Sequence, residues 1–124
     1  MTQAIYFGIG SFFGCFARFF VSGAIYKSFG TAFPLGTLAV NLIGCFFIGF
    51  FSALAGDRMG LSPSARLLLM TGFCGAFTTF SAFMLDTGNL LKDGEMMKAG
   101  LNVALSLIAG FLVFRLGIFL GKII

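Results

Sequence analysis

No histidine occurs in this chain, and only four carboxylates do: Asp57, Asp86, Asp93 and Glu95. A hydrolytic or metal-dependent active site needs clustered titratable or ligating side chains, so enzyme chemistry has almost nothing to be built from and the chain is not expected to be an enzyme. Three cysteines are present, Cys15, Cys45 and Cys74, an odd number with no pairing or metal-ligand spacing. They read as small packing residues, not as a disulfide framework. Charged residues make up 10% of the 124 positions while apolar types make up 59%, and mean hydropathy is +1.06. A water-soluble domain of this size could not bury so much apolar surface.

In place of charge the chain has long apolar runs. A spanning helix takes roughly 20 consecutive apolar residues, and four such runs are legible, at about Ile5 to Tyr26, Phe33 to Leu54, Arg66 to Leu91 and Lys98 to Leu120. The expected fold is an all-α membrane protein whose residues 1–124 form a single four-helix transmembrane domain. Pro34 reads as an early-turn proline, Ser62 and Pro63 as N-cap and first residue of the third span, and Asp93 as a cap before the fourth. The first run is expected to be a span and not a cleaved leader, because Met1 to Ala4 carries no basic residue and the apolar stretch continues past Arg18.

Four spans put both termini on one side. Lys27, Lys92 and Lys98 then share one face and Arg58, Arg66 and Lys122 the other; assigning Arg18 and Arg115 to their nearer ends gives four against four. The positive-inside rule has nothing to act on. Insertion in both orientations follows, with an antiparallel homodimer as the simplest closed assembly; the alternative is a single orientation set by loop details. The net charge of +4 reads as flanking anchors, with no nucleic-acid surface. Gly10 with Gly14, and Gly72 with Ala76, have the four-residue spacing of close-packing helix faces. Gly8 and Gly10 lie inside an apolar span and follow no strand, so a phosphate-cradling loop is not the reading.

Within a bilayer the informative residues are the polar ones, since each costs free energy unless partnered or solvated. Thr37 and Asn41 lie one turn apart in the second span, Asn102 and Ser106 in the fourth with Gly110 following on the same face. For Asn41, a hydrogen bond across helices and a donor lining a path are both open. The third span, GFCGAFTTFSAF from Gly72 to Phe83, is a poor continuous helix: glycine costs about 1 kcal/mol relative to alanine, and adjacent threonines compete for backbone hydrogen bonds. A break within Gly75 to Ser81 is expected, where freed carbonyls suit a cation and freed N–H groups an anion. Beyond it, Phe80 and Phe83 are three apart and would stack two rings along one face, their electropositive edges suited to a small anion.

GFCGAFTTFSAF (Gly72 to Phe83) together with GTLAVNLIGCF (Gly36 to Phe46) resembles the Fluc (CrcB-type) fluoride channel family, and GCFARF (Gly14 to Phe19) is similar to that family's first-helix pattern. The resemblance implies a fluoride-selective channel of the bacterial cytoplasmic (inner) membrane, multi-pass and with a broken third helix, working as an antiparallel dual-topology homodimer. It implies passive fluoride export, strong selection against chloride and fluoride resistance. It assigns Phe80 and Phe83 as the rings facing fluoride, Asn41 as a donor on the anion pathway, and Ser81, Thr37 and Ser106 as neighbouring donors. Arg18 falls in a vestibule. The backbone carbonyls of Gly75 and Thr78, from both subunits, are implied to hold a structural sodium ion at the dimer interface. Asn102 stands where some members carry a tyrosine, and Gly110 and Phe114 where they carry hydroxyls, which leaves the role of Asn102 open, and Asp86 reads as a vestibule or capping acid. The runner-up, a proton-coupled small multidrug-type transporter, would need a carboxylate in the first span, and residues 5–26 contain none. A non-conducting accessory subunit would have no use for the polar stripes.

Overall fold

The computed structural model describes residues 1–56 and 60–124; Asp57 and Arg58, the latter counted above in the charge balance, lie outside the described residues. Every regular element among the described residues is helical. Four stretches are long and apolar enough to cross a membrane: Thr2–Phe29, Leu35–Gly56, Pro63–Lys92 and Met96–Ile123. The first, second and fourth are single helices, α1 (Thr2–Phe29), α2 (Leu35–Gly56) and α6 (Met96–Ile123). The third is composite: α3 (Pro63–Arg66), a π-helical run over Leu67–Cys74, α4 (Gly75–Phe77) and α5 (Phe80–Lys92).

The turns follow from local chemistry. At the end of α1, Gly30 takes a positive φ of 79° and its N–H bonds the Tyr26 carbonyl at 2.8 Å, the left-handed geometry glycine adopts without strain. Pro34 sits immediately before α2, its carbonyl accepting from the Leu38 N–H at 3.0 Å, where its missing N–H would have been unsatisfied anyway. Ser62 caps the third span as expected, its hydroxyl oxygen accepting from the Ala65 N–H at 3.2 Å with Pro63 at the first helical position.

Asp93 is a correction. It caps the C-terminus of α5, and α6 starts at the N-cap Glu95 without a side-chain capping bond. Gly94 (φ 77°) allows the chain to double back so that its N–H bonds the Leu91 carbonyl at 3.1 Å and the Glu95 N–H bonds the Leu90 carbonyl at 2.8 Å. This paired closure of a helix end consumes the residue that the sequence offers to the next helix.

Two seams hold the bundle, α2 along α6 and α1 along the π-helical run. Both are glycine seams. A Cβ at Gly10 would fall on the Leu68 carbonyl oxygen and one at Gly14 on that of Phe73, while one at Gly72 would meet the Phe7 carbonyl oxygen at 2.8 Å. Across the other seam a Cβ at Gly49 would fall on the Phe114 carbonyl and one at Gly117 on that of Phe46. Lipid tails are as apolar as leucine, so close backbone approach and dispersion take the place that hydrophobic burial has in water. Gly10, Gly14 and Gly72 act as their spacing foretold; Gly49 with Ala53 and Gly117 with Gly121 have the same four-residue spacing and pack along the other seam.

The third span opens inside the expected window. Thr78 (φ −86°, ψ 159°) and Thr79 (φ −150°, ψ 116°) are extended between α4 and α5. Each threonine finishes one half: the Thr78 hydroxyl donates to the Cys74 carbonyl at 2.9 Å, closing α4, and the Thr79 hydroxyl oxygen accepts from the Ala82 N–H at 3.2 Å, capping α5. Thr79 thus serves as the N-cap of a helix born in mid-span.

Candidate functional site

The break faces a cavity of about 370 Å³ whose walls include Asn41, Gly44 and Cys45 from α2, Gly75 from α4, Thr78 and Thr79 from the break, Phe80 and Phe83 from α5, and Ser106 from α6. Gly44 brings α2 against the break, since a Cβ there would fall on the Thr78 methyl. That approach lets Asn41, one turn earlier, reach the interrupted backbone.

Asn41 makes two reciprocal bonds with one residue. Its Nδ2 donates to the Thr79 carbonyl at 3.0 Å and its Oδ1 accepts from the Thr79 N–H at 2.7 Å. The side-chain amide therefore stands in for a peptide group, satisfying both backbone groups of Thr79. An amide carries two N–H donors, and only one of them is used in this pairing. The hydrogen bond across helices is the reading of Asn41 seen here, and the residue also lines the cavity. The bond also diverts the Thr79 N–H from the Gly75 carbonyl four residues back, freeing that oxygen.

Also in the lining, the Ser106 hydroxyl oxygen from α6 is buried and has no hydrogen-bond partner among the described residues. A buried hydroxyl without a partner costs about 1–3 kcal/mol. Phe80 and Phe83 complete the site, ring centroids 5.8 Å apart. Their planes are inclined at 48°, a tilted pair in place of the expected stack. Phe83 is buried at 7% exposure, whereas Phe80 is 73% exposed on the molecular surface. Gly75 is also exposed, with nothing within 4 Å of where a Cβ would stand.

The cavity thus gathers Asn41, Phe80, Phe83, Ser106, Gly75 and Thr78. Thr37 faces elsewhere. Its hydroxyl pairs with the Tyr26 hydroxyl at 3.1 Å and its N–H donates to the same oxygen at 3.2 Å, and it lines a second cavity of about 320 Å³ with Arg18, Ser22, Tyr26 and the far side of Thr79. Positions four apart on a helix advance slightly more than a full turn, enough for Asn41 to face the break while Thr37 faces α1. Ser81 is exposed, its hydroxyl 3.5 Å from that of Thr79, outside the linings of both cavities. Asp86 lies in a third cavity of about 490 Å³ near the α5–α6 turn with Asn89, Asp93, Glu95 and Lys98, one of its carboxylate oxygens buried and without a partner among the described residues.

Two residues of this architecture escape sequence reading. Tyr26 anchors Thr37. Thr87 accepts a bond from Asn102 Nδ2 at 3.0 Å and donates to the Phe83 carbonyl at 2.8 Å. A hydroxyl one turn after a marked phenylalanine is the only hint available, because threonines in helices often bond the carbonyl four residues back.

Residues 5–118 match the model of the family described as CrcB-like protein, Camphor Resistance (CrcB). The chain is similar to proteins named fluoride-specific ion channel FluC. That of Maridesulfovibrio salexigens is 43% identical over 124 residues, covering 100% of this chain and 98% of the relative. That of Chlorobaculum tepidum is 50% identical over 123 residues, covering 99% and 97%, and that of a Geobacter species is 40% identical over 122 residues, covering 98% of each. With a family model matching from α1 to α6 and relatives alike along nearly their whole length, this chain belongs to the CrcB-like family.

Proposed function

We propose that this multi-pass membrane protein is a fluoride-specific ion channel, letting fluoride leave passively across the bacterial cytoplasmic membrane and so conferring fluoride resistance. The working unit is an antiparallel dual-topology homodimer. The carrying observation is the neutral donor set around the break: an asparagine with one N–H to spare, an unpartnered serine hydroxyl and two phenylalanine rings, in a cavity whose lining contains no charged side chain. Fluoride entering must exchange hydration for many weak contacts, because one strong site would arrest it. Asn41 and Ser106 donate hydrogen bonds, and the rim hydrogens of Phe80 and Phe83 supply electropositive edges. No residue needs to change protonation, which suits passive flow.

The dimer reading is supported by the four-against-four charge balance and by the exposure of Phe80 and Gly75, which leaves one side of the site to be completed by a second copy. The Gly75 and Thr78 carbonyls suit sodium, which prefers neutral oxygen ligands at interrupted helices: the diverted Thr79 N–H leaves the Gly75 oxygen without its helical donor, and Thr78 is extended. Bound there, sodium would supply positive charge at the subunit seam and help hold the two copies together.

The test is efflux from liposomes under a fluoride gradient, followed by a fluoride electrode with chloride in parallel. Fast fluoride efflux without a proton requirement is expected, and near-abolition in Phe80→Ile and Phe83→Ile with the yield of folded protein retained; chloride flux as fast as fluoride flux would remove the assignment. Single-cysteine variants near the termini should label from both faces of the membrane, and labelling from one face alone would rule out dual topology.

A further inference from the structure

The half-helix α5 begins at a break, so covalent continuity with α4 does little to set its rotation, yet it carries both phenylalanines of the site. Two asparagines from different helices hold it. Asn41 grips its start through both backbone groups of Thr79. Asn102, only 2% exposed on α6, donates to Thr87 Oγ1 at 3.0 Å, and Thr87 donates to the Phe83 carbonyl at 2.8 Å. The direction of this relay is settled: a carbonyl only accepts, so the single threonine proton goes to Phe83, and Oγ1 receives from the amide. Phe80 and Phe83 lie between the two grips, and Phe83 is the buried ring of the pair.

We propose that Asn102 is a positioning residue for Phe83, acting through Thr87 to fix the rotation of α5 against α6 and thereby the angle at which the buried ring presents its rim to a passing anion. Asn102 is not in the cavity lining and does not touch the ion. A ring turned to offer its face instead of its rim repels an anion, so releasing the relay lowers discrimination between halides as well as rate. The inference rests on the channel reading above.

The test compares wild type, Thr87→Val, Thr87→Ser, Asn102→Ala and the Asn102→Ala/Thr87→Val double variant in liposomes, reading fluoride flux and the fluoride-to-chloride ratio per reconstituted protein. Thr87→Val keeps shape and loses the hydroxyl; it should reduce the ratio roughly fivefold, the scale of one buried hydrogen bond. Asn102→Ala should match it, the double variant should be no worse than either single variant because both break one relay, and Thr87→Ser should restore wild-type values. Wild-type selectivity in Thr87→Val, or a Thr87→Ser variant as impaired as Thr87→Val, overturns the assignment. Should Asn102→Ala fail to fold, the two Thr87 variants decide alone. A wild-type protein that passes no fluoride overturns the channel reading and the assignment with it, whereas a conducting wild type with unaltered variants overturns the assignment only.

Discussion

The two halves of the third span are built on opposite principles. From Leu67 to Phe73 the chain is held by α1 backbone against backbone, with Gly10, Gly14 and Gly72 at the crossing and, among the described residues, no side-chain hydrogen bond taking part. From Thr78 to Phe83 it is held by directed bonds from single side chains, those of Asn41, Thr79 and Thr87. The first arrangement has no intermediate setting, because a carbonyl oxygen cannot yield room for a carbon. The second can be altered one bond at a time. The candidate site sits in the adjustable half, and the rigid half supplies the frame against which small changes in it matter.

The largest effect expected from this contrast is in the glycine seam. Gly10→Leu would drive a branched side chain into the Leu68 carbonyl, and overpacking of that kind is not relieved by a rotamer change; no monodisperse folded protein should elute after detergent extraction, and a normal elution profile would break the contrast at its rigid end. Asn41→Leu comes next. It keeps volume but strands the Thr79 N–H and carbonyl, at about 1–3 kcal/mol for each unsatisfied group. A marked drop in melting temperature together with loss of fluoride efflux is expected, and a variant that lost neither would show that the break holds itself open.

Ser106→Ala sharpens the distinction between holding and conducting. Its hydroxyl has no partner among the described residues, so thermal stability should stay level or rise slightly while fluoride efflux falls by a few-fold; lowered stability with normal efflux would reverse the roles given to this residue. The smallest effect is expected at Tyr26→Phe. Removing this hydroxyl frees Thr37 at a cost of about 1 kcal/mol, and since Thr37 faces the second cavity, fluoride flux should stay within about twofold of wild type, roughly half a kcal/mol of barrier. A large loss of flux would place the second cavity on the anion path.

Much of this was legible along the chain, and the misses share a cause. The Ser62–Pro63 start and the opening between Gly75 and Ser81 each follow from residues acting on neighbours within a turn. Asp93 misled because the same residue can end one helix or begin the next, and the positive φ of Gly94 settles which. The π-helical run over Leu67–Cys74 has no local signature. Thr37 and Asn41 share a stripe on paper but part company because one meets Tyr26 and the other Thr79.

Composition and periodicity alone dictated a bilayer-spanning, all-helical protein with a weak point in its third span, since these depend on transfer free energy and on the backbone preferences of glycine and threonine. Which amide would bridge that weak point, which hydroxyl would be left without a partner and which ring would be buried depended on helices brought together from distant positions. Hydrogen bonds are short and directional, so a linear pattern can supply the donors and acceptors, but only packing to within about 3 Å selects the pairs.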